Sequence, residues 1–153
     1  MIRLFVIICP RQRRLHLKKE MTLIRSFEEI FNKHNLSSIE KYFGNETVEG
    51  SPQAEKGGEG FKLMLTEFFK AFPDWRATIE HIVAENNLVM IFLDGNGTHK
   101  GDFRGTPPTN KPVNIRSSDL YKIENGVITG HWDVVDQLDL LKQTRTLLSE
   151  PVG

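Results

Sequence analysis

The hydrophobic positions change period once along this chain. Between Thr22 and Asn35, Leu23, Phe27, Ile30 and Phe31 recur at helical spacing with charges opposite, which predicts an amphipathic helix. Asn35 ends it. SSIEKYF (37–43) reads as a short second helix, with Ser37 as its cap and Glu40 three residues on. The stretch Gly44–Gly60 is rich in Gly, Glu and Ser and reads as loop. A third helix over about Glu59–Phe72 carries Phe61, Leu63, Met64, Leu65, Phe68, Phe69 and Phe72, too apolar a set for a free surface. Pro73–Asp74 breaks it.

From Trp75 the period becomes two. WRATIEHIVAE, LVMIFLDGNGTH, VNIRSSDLYKIE and GVITGHWDVVD are four predicted strands, with tight turns at Asn86–Asn87 and Glu124–Asn125–Gly126. LDLLKQTRTLL then returns to helix. Helices followed by an antiparallel meander imply an α+β domain, with N-terminal helices packed on one face of the sheet. Gly95, Gly97, Gly101 and Gly105 predict strong curvature. A strongly curved antiparallel sheet closed by helices forms a cone with an internal pocket.

Alternation assigns the faces. In the last strand Val127, Thr129, His131, Asp133 and Val135 fall on one side, and Ile128, Gly130, Trp132, Val134 and Asp136 on the other. In the strand before it Ile115, Ser117, Asp119, Tyr121 and Ile123 share a face, opposite to Arg116 and Lys122. A hairpin at Asn125–Gly126 brings Asp119 within one or two positions of His131 and Asp133. Charged groups on an inward face are costly unless something pairs with them or uses them. Two carboxylates and an imidazole on a partly apolar wall suit acid–base chemistry; a structural pair at a strand end fits the spacing as well. There is no HExxH, no Cys/His ligand spacing, no phosphate-cradling GxxxxGK[ST] and no GxSxG, so no metal site and no cofactor are expected.

Composition narrows the picture a little further. At 153 residues, with 39% hydrophobic and 26% charged positions, the chain reads as one soluble domain. Its single cysteine, Cys9, allows no internal disulfide, and the cytoplasm is the expected compartment. Residues 1–20 hold six basic side chains and one acid; the remainder has 14 bases and 19 acids, a net charge of −5. An acidic body argues against nucleic acid. The apolar run Leu4–Cys9 is too short to span a bilayer, and no membrane partner is expected. Residues 1–20 therefore read as a disordered basic extension, 21–146 as the cone domain and 147–153 as a tail.

FPDW (72–75), GTHKGDFRGTPPTNKPV (97–113) and IENGVITGHWDVVDQLDLLKQ (123–143) resemble the SnoaL-like polyketide cyclase or ester cyclase family, within the nuclear-transport-factor-2-like superfamily. The resemblance covers roughly Met21–Gln143. It implies the cone fold, a homodimer, and a catalytic carboxylate at Asp133 serving as general acid and base for an intramolecular aldol closure. Asp119 stands where the family has a pocket histidine, and Asn110 where PPTGK has glycine. The expected function is a cofactor-independent acid–base enzyme acting on a hydrophobic, carbonyl-containing small molecule. Asp133 and His131 would be catalytic, with Asp119, Ser117, His99, Tyr121 and Phe68 lining the pocket. The alternatives are a non-catalytic small-molecule binder, or isomerase or epoxide-hydrolase-like chemistry in the same pocket.

Overall fold

In the computed structural model, which describes residues 10–49 and 57–144, helices cover one face of a single five-stranded sheet. Helix α1 (Pro10–Phe27) runs into one π-helical turn, Glu28–Asn32; a 3-10 turn, Leu36–Ser38, then leads into the single turn of α2 (Ile39–Tyr42). Strand β1 (Phe43–Glu49) and helix α3 (Gly57–Ala71) follow. The meander is β2 (Arg76–Glu85), β3 (Leu88–Thr98), β4 (Pro112–Glu124) and β5 (Val127–Val135), and α4 (Gln137–Thr144) closes the described chain.

The strand order is β1-β5-β4-β3-β2. All neighbours run antiparallel except β1, which pairs with β5 in parallel. The sheet is therefore mixed, where the sequence predicts a purely antiparallel one. The fifth strand lies in Phe43–Glu49, mostly expected as loop: FGNETVE has no clean alternation, and its ladder to β5 shifts register between Phe43 and Val48. The first helix begins at Pro10, twelve residues before the predicted Thr22, so residues 10–20, expected outside the domain, form its opening turns. Glu20 is buried, and the Lys19 ammonium donates to the Asn86 carbonyl. Ser37 sits inside the 3-10 turn and donates to Asn35 Oδ1 (2.6 Å) instead of capping a helix. Residues 1–9 and the tail 147–153 lie outside the described residues.

Both predicted hairpins are present. Asn86 (φ +53°), Asn125 (φ +52°) and Gly126 (φ +82°) take the left-handed backbone that tight turns between twisted strands require. Between β4 and β5 the register shifts: Ile123 faces Ile128, yet Lys122 faces Gly130. Thr129 is the extra residue of a β-bulge, which bends the strand. It corrects the face assignment near the turn. Ile128 joins His131, Asp133 and Val135 on the inner side, while the Thr129 hydroxyl donates to Glu124 (2.9 Å) at the surface.

The core is aromatic. Phe27 stacks on Phe31 (4.5 Å between centroids) and meets the Tyr121 ring edge-on (6.0 Å); Phe61 packs against Phe43 (4.9 Å) and Phe68 against Trp75 (4.9 Å). Such pairs contribute about 0.5–1.5 kcal/mol each beyond the area they bury. Gly95 is needed for space: a Cβ there would lie 2.1 Å from the Trp75 ring. FPDW thus docks into β3. Asp74 fastens it, accepting from the Thr98 backbone N–H (2.8 Å) and hydroxyl (2.7 Å).

Candidate functional site

The inward row of β4 reads Val113, Ile115, Ser117, Asp119, Tyr121 and Ile123, apolar at both ends and polar in the middle. β5 places Asp133 directly across from Asp119, and His131 across from Tyr121. Directly opposed side chains on one face have Cβ atoms about 4.5–5.5 Å apart, so the two carboxylates and the imidazole form one cluster.

Hydrogen bonding gives the two carboxylates different surroundings. Asp119 is buried and accepts from the Ser117 hydroxyl at Oδ1 (2.7 Å) and the Tyr121 hydroxyl at Oδ2 (3.2 Å). His131 Nε2 lies 3.8 Å from Asp119 Oδ2. The imidazole stacks on the Tyr121 ring (4.6 Å, 19° between planes) and meets Phe61 edge-on (5.7 Å). Protein groups therefore hold Asp119 and His131 on several sides. Asp133, the only one of the three that is half-exposed, faces a hollow.

That hollow has a volume of about 650 Å³, within the range of about 300–1,000 Å³ usual for small-molecule pockets. Its polar wall is Ser117, Asp119, His131 and Asp133; Phe31, Phe61, Phe68, Trp75, Leu93 and Ile115 are among its apolar walls. The phenylalanines line the space and do not fill it. Helix α4 closes one side with Leu140 and Leu141. Asp136 caps that helix by accepting from the Asp139 N–H (3.1 Å), the role its place after β5 suggests, and Gln143 exchanges two hydrogen bonds with the Asn114 backbone (both 2.8 Å).

Two expected lining residues are elsewhere. Tyr121 lies behind the wall, fully buried, and reaches the cluster only through its hydroxyl and ring face. His99 does not line the hollow either. It roots the loop between β3 and β4, where its backbone N–H donates to Lys111 O (3.0 Å) and its carbonyl accepts from Asn110 (2.9 Å). Its Nδ1 accepts from the Thr109 N–H (3.4 Å), and its ring packs against Phe72 (5.5 Å) and Phe103 (6.3 Å). Burial pushes the His99 imidazole below its ordinary pKa, favouring the neutral ring.

The same loop supplies lining residues that alternation could not find, because they lie outside any strand: Asp102, Phe103 and Arg104. Phe103 and Thr106 bridge through two backbone hydrogen bonds (3.0 Å each), around Arg104 (φ +53°) and Gly105 (φ +81°). Asn110 also has positive φ (+57°), which explains why glycine suits that position. Lys122 and Arg116 lie on the outer face, as alternation predicts.

The sequence profile of SnoaL-like polyketide cyclase matches residues 21–144. No curated protein matches the sequence. Several solved structures are similar throughout. AclR from Streptomyces galilaeus, provisionally described as a hydroxylase, superposes with a TM-score of 0.80 at 25% identity, covering 90% of this chain and 87% of its own. A protein of Acidithiobacillus ferrooxidans, provisionally described as a polyketide cyclase, gives 0.75 at 26%, covering 84% and 95%. IdmH from Streptomyces antibioticus, with the same provisional description, gives 0.72 at 27%, covering 82% and 96%.

Proposed function

The chain belongs to the SnoaL-like polyketide cyclase family, and from that footing we propose that it is a cofactor-independent acid–base enzyme acting on a hydrophobic, carbonyl-containing small molecule. One observation carries the reading: Asp133 is half-buried against an aromatic hollow, while the neighbouring Asp119 is occupied by protein donors. The reaction that suits it is an intramolecular aldol closure. The Asp133 carboxylate takes a proton from the carbon α to a carbonyl, and the C–H pair becomes an enolate. The enolate carbon attacks a second carbonyl of the same molecule, forming the ring C–C bond. The resulting alkoxide recovers the proton from Asp133, so the enzyme ends as it began.

A positioned base contributes about 10²–10⁴-fold, and holding a flexible chain in its folded pose adds to that. His131 orients the reacting group beside Asp133. Asp119, in the family's histidine position, holds His131 and takes no proton from substrate. Asp133→Asn should remove this chemistry while preserving shape, and unchanged turnover would sink the mechanism. AclR's provisional description as a hydroxylase means that similar folds are not all named for one reaction. A non-catalytic carrier would bind the same ligands in this hollow and release them unaltered, which product analysis after a single turnover distinguishes.

We also propose that the chain pairs with a second copy of itself through the outer sheet face. Val83, Met90, Leu120 and Trp132 are consecutive cross-strand partners in one row from β2 to β5, and Val83, Met90 and Trp132 are exposed. Asp94 and Arg116 sit opposite one another on that face, so both signs of charge are available to an inverted copy. Sedimentation should give twice the chain mass, and Trp132→Glu should halve it. A wild-type monomer at micromolar concentration overturns the proposal.

A further inference from the structure

We infer that helix α1 seats the protein on an anionic lipid bilayer, lying in the headgroup plane with Leu17, Met21 and Ile24 toward the acyl chains and Lys18 and Arg25 toward lipid phosphates. The inference does not depend on the chemistry of the hollow. One side of α1 belongs to the domain: Glu20, Leu23, Ser26 and Phe27 are buried. Leu17, Met21 and Ile24, at spacings of four and three, form a second apolar stripe, 49%, 45% and 40% exposed. Single exposed apolar side chains are ordinary; three aligned along one helix make a patch. Lys18, Thr22 and Arg25 repeat at the same spacing in the adjoining stripe, with both cations exposed. Among the described residues no carboxylate pairs with either cation. Leu17, Met21, Lys18 and Arg25 line a groove of about 710 Å³, completed by Asn125 and Gly126 of the β4–β5 turn.

Charge selects the occupant. Residues 1–25 hold seven basic side chains and one acid, and that acid, Glu20, is buried. Residues 26–153 hold 13 bases and 19 acids, a net charge of −6. A negatively charged plane therefore attracts the α1 end and repels the rest, which orients the molecule before contact. Nucleic acid or a soluble phosphate would satisfy the cations and leave Leu17, Met21 and Ile24 in water. A bilayer takes both, because its phosphates lie directly above its acyl layer. The sequence that leads into the helix, MIRLFVIIC (1–9), is apolar in all but Arg3 and adds to the same end of the chain. Lys19 is engaged elsewhere: its ammonium donates to the Asn86 carbonyl and ties α1 to the β2–β3 turn. No helix among the described residues is long and apolar enough to cross a membrane. The expectation of no membrane partner rests on that lack of a spanning segment, and a helix lying on the surface needs none.

The test is co-sedimentation of the full-length protein with vesicles of phosphatidylcholine, with and without phosphatidylglycerol, at physiological ionic strength. The anionic vesicles should take up the protein at least about tenfold more strongly than the neutral ones. Lys18→Gln with Arg25→Gln should lower that uptake about twentyfold, since each cation near such a surface contributes a factor of about five. Leu17→Ser with Met21→Ser should lower it about tenfold through lost apolar burial. Both double variants alter exposed positions and should keep the wild-type Tm, so the losses do not come from unfolding. Inorganic phosphate should release no more protein than chloride at equal ionic strength; specific release would assign the cations to a soluble anion and overturn the proposal. Wild-type protein left in the supernatant, equal uptake by the two kinds of vesicle, or uptake unchanged in either double variant would each overturn it as well. In the last case, a fall in sedimenting mass for Leu17→Ser with Met21→Ser would assign the stripe to a second copy of the chain.

Discussion

His99 and His131 are both enclosed by the fold, yet their neighbourhoods differ in kind. His131 lies beside a carboxylate, stacks on a tyrosine whose hydroxyl serves that same carboxylate, and borders a hollow. His99 lies between phenylalanines at the root of a loop and ties two backbone segments together. Burial is common to both, so burial alone does not mark a functional group. What separates them is access: one ring meets space that a ligand can occupy, the other meets only protein.

The sharpest way to break that contrast is to exchange the consequences. Asp133→Asn should lower turnover by about 10²–10⁴-fold with little change in melting temperature. His99→Gln should do the reverse, costing about 1–3 kcal/mol of stability by disturbing a buried hydrogen-bonded root while leaving kcat intact. A His99 variant that lost kcat at unchanged Tm would erase the distinction.

A smaller effect is expected behind the wall. Tyr121→Phe removes one donor from Asp119 and should destabilise by about 1–3 kcal/mol, with a loss of kcat only as large as the displacement of His131. Denaturant unfolding beside steady-state kinetics separates the two contributions.

The pH dependence sharpens the contrast further. Because burial lowers the folded-state pKa of His99, the unfolded chain binds a proton at this ring before the folded one does. Stability from this group is complete above the ordinary histidine pKa, near 6.5, and declines as pH falls from there toward the lowered folded value. Melting curves between pH 5 and 8 should show that decline, and it should flatten in His99→Gln. The least effect belongs to Asp74, whose carboxyl is held below its ordinary value first by the Thr98 hydroxyl, then by the Thr98 N–H, with Lys100 assisting. Its contribution is present above the unfolded carboxylate range and fades in stronger acid. Because the group is solvent-exposed, Asp74→Asn should shift Tm only slightly at neutral pH and less still at low pH.

The sequence made the meander legible because β3 and β4 alternate without a break, and alternation needs no tertiary information. Asp119, His131 and Asp133 were found together for that reason. Three features escaped it. β1 is short, glycine-bearing and irregularly paired, so FGNETVE carries no period to read. The bulge inserts a residue that shifts phase locally, which misplaced Ile128 and Thr129 while leaving His131 and Asp133 correct. Arg104 and Phe103 reach the hollow from a loop, where side-chain direction depends on positive-φ backbone and not on spacing. His99 also escapes it, because a polar ring beside a curved strand can point at either protein or cavity, and only the packing of Phe72 and Phe103 decides.

Thr129 has a use that reaches past bookkeeping of faces. Since Ile128 and Gly130 already oppose adjacent residues of β4, a chain shortened by that one threonine would retain every partner on either side while its ribbon straightened. The bend of the ribbon and the opposition of the two acids thus rest on separate parts of one ladder: the extra threonine sits at the turn end, while Asp119 and Asp133 face each other farther along.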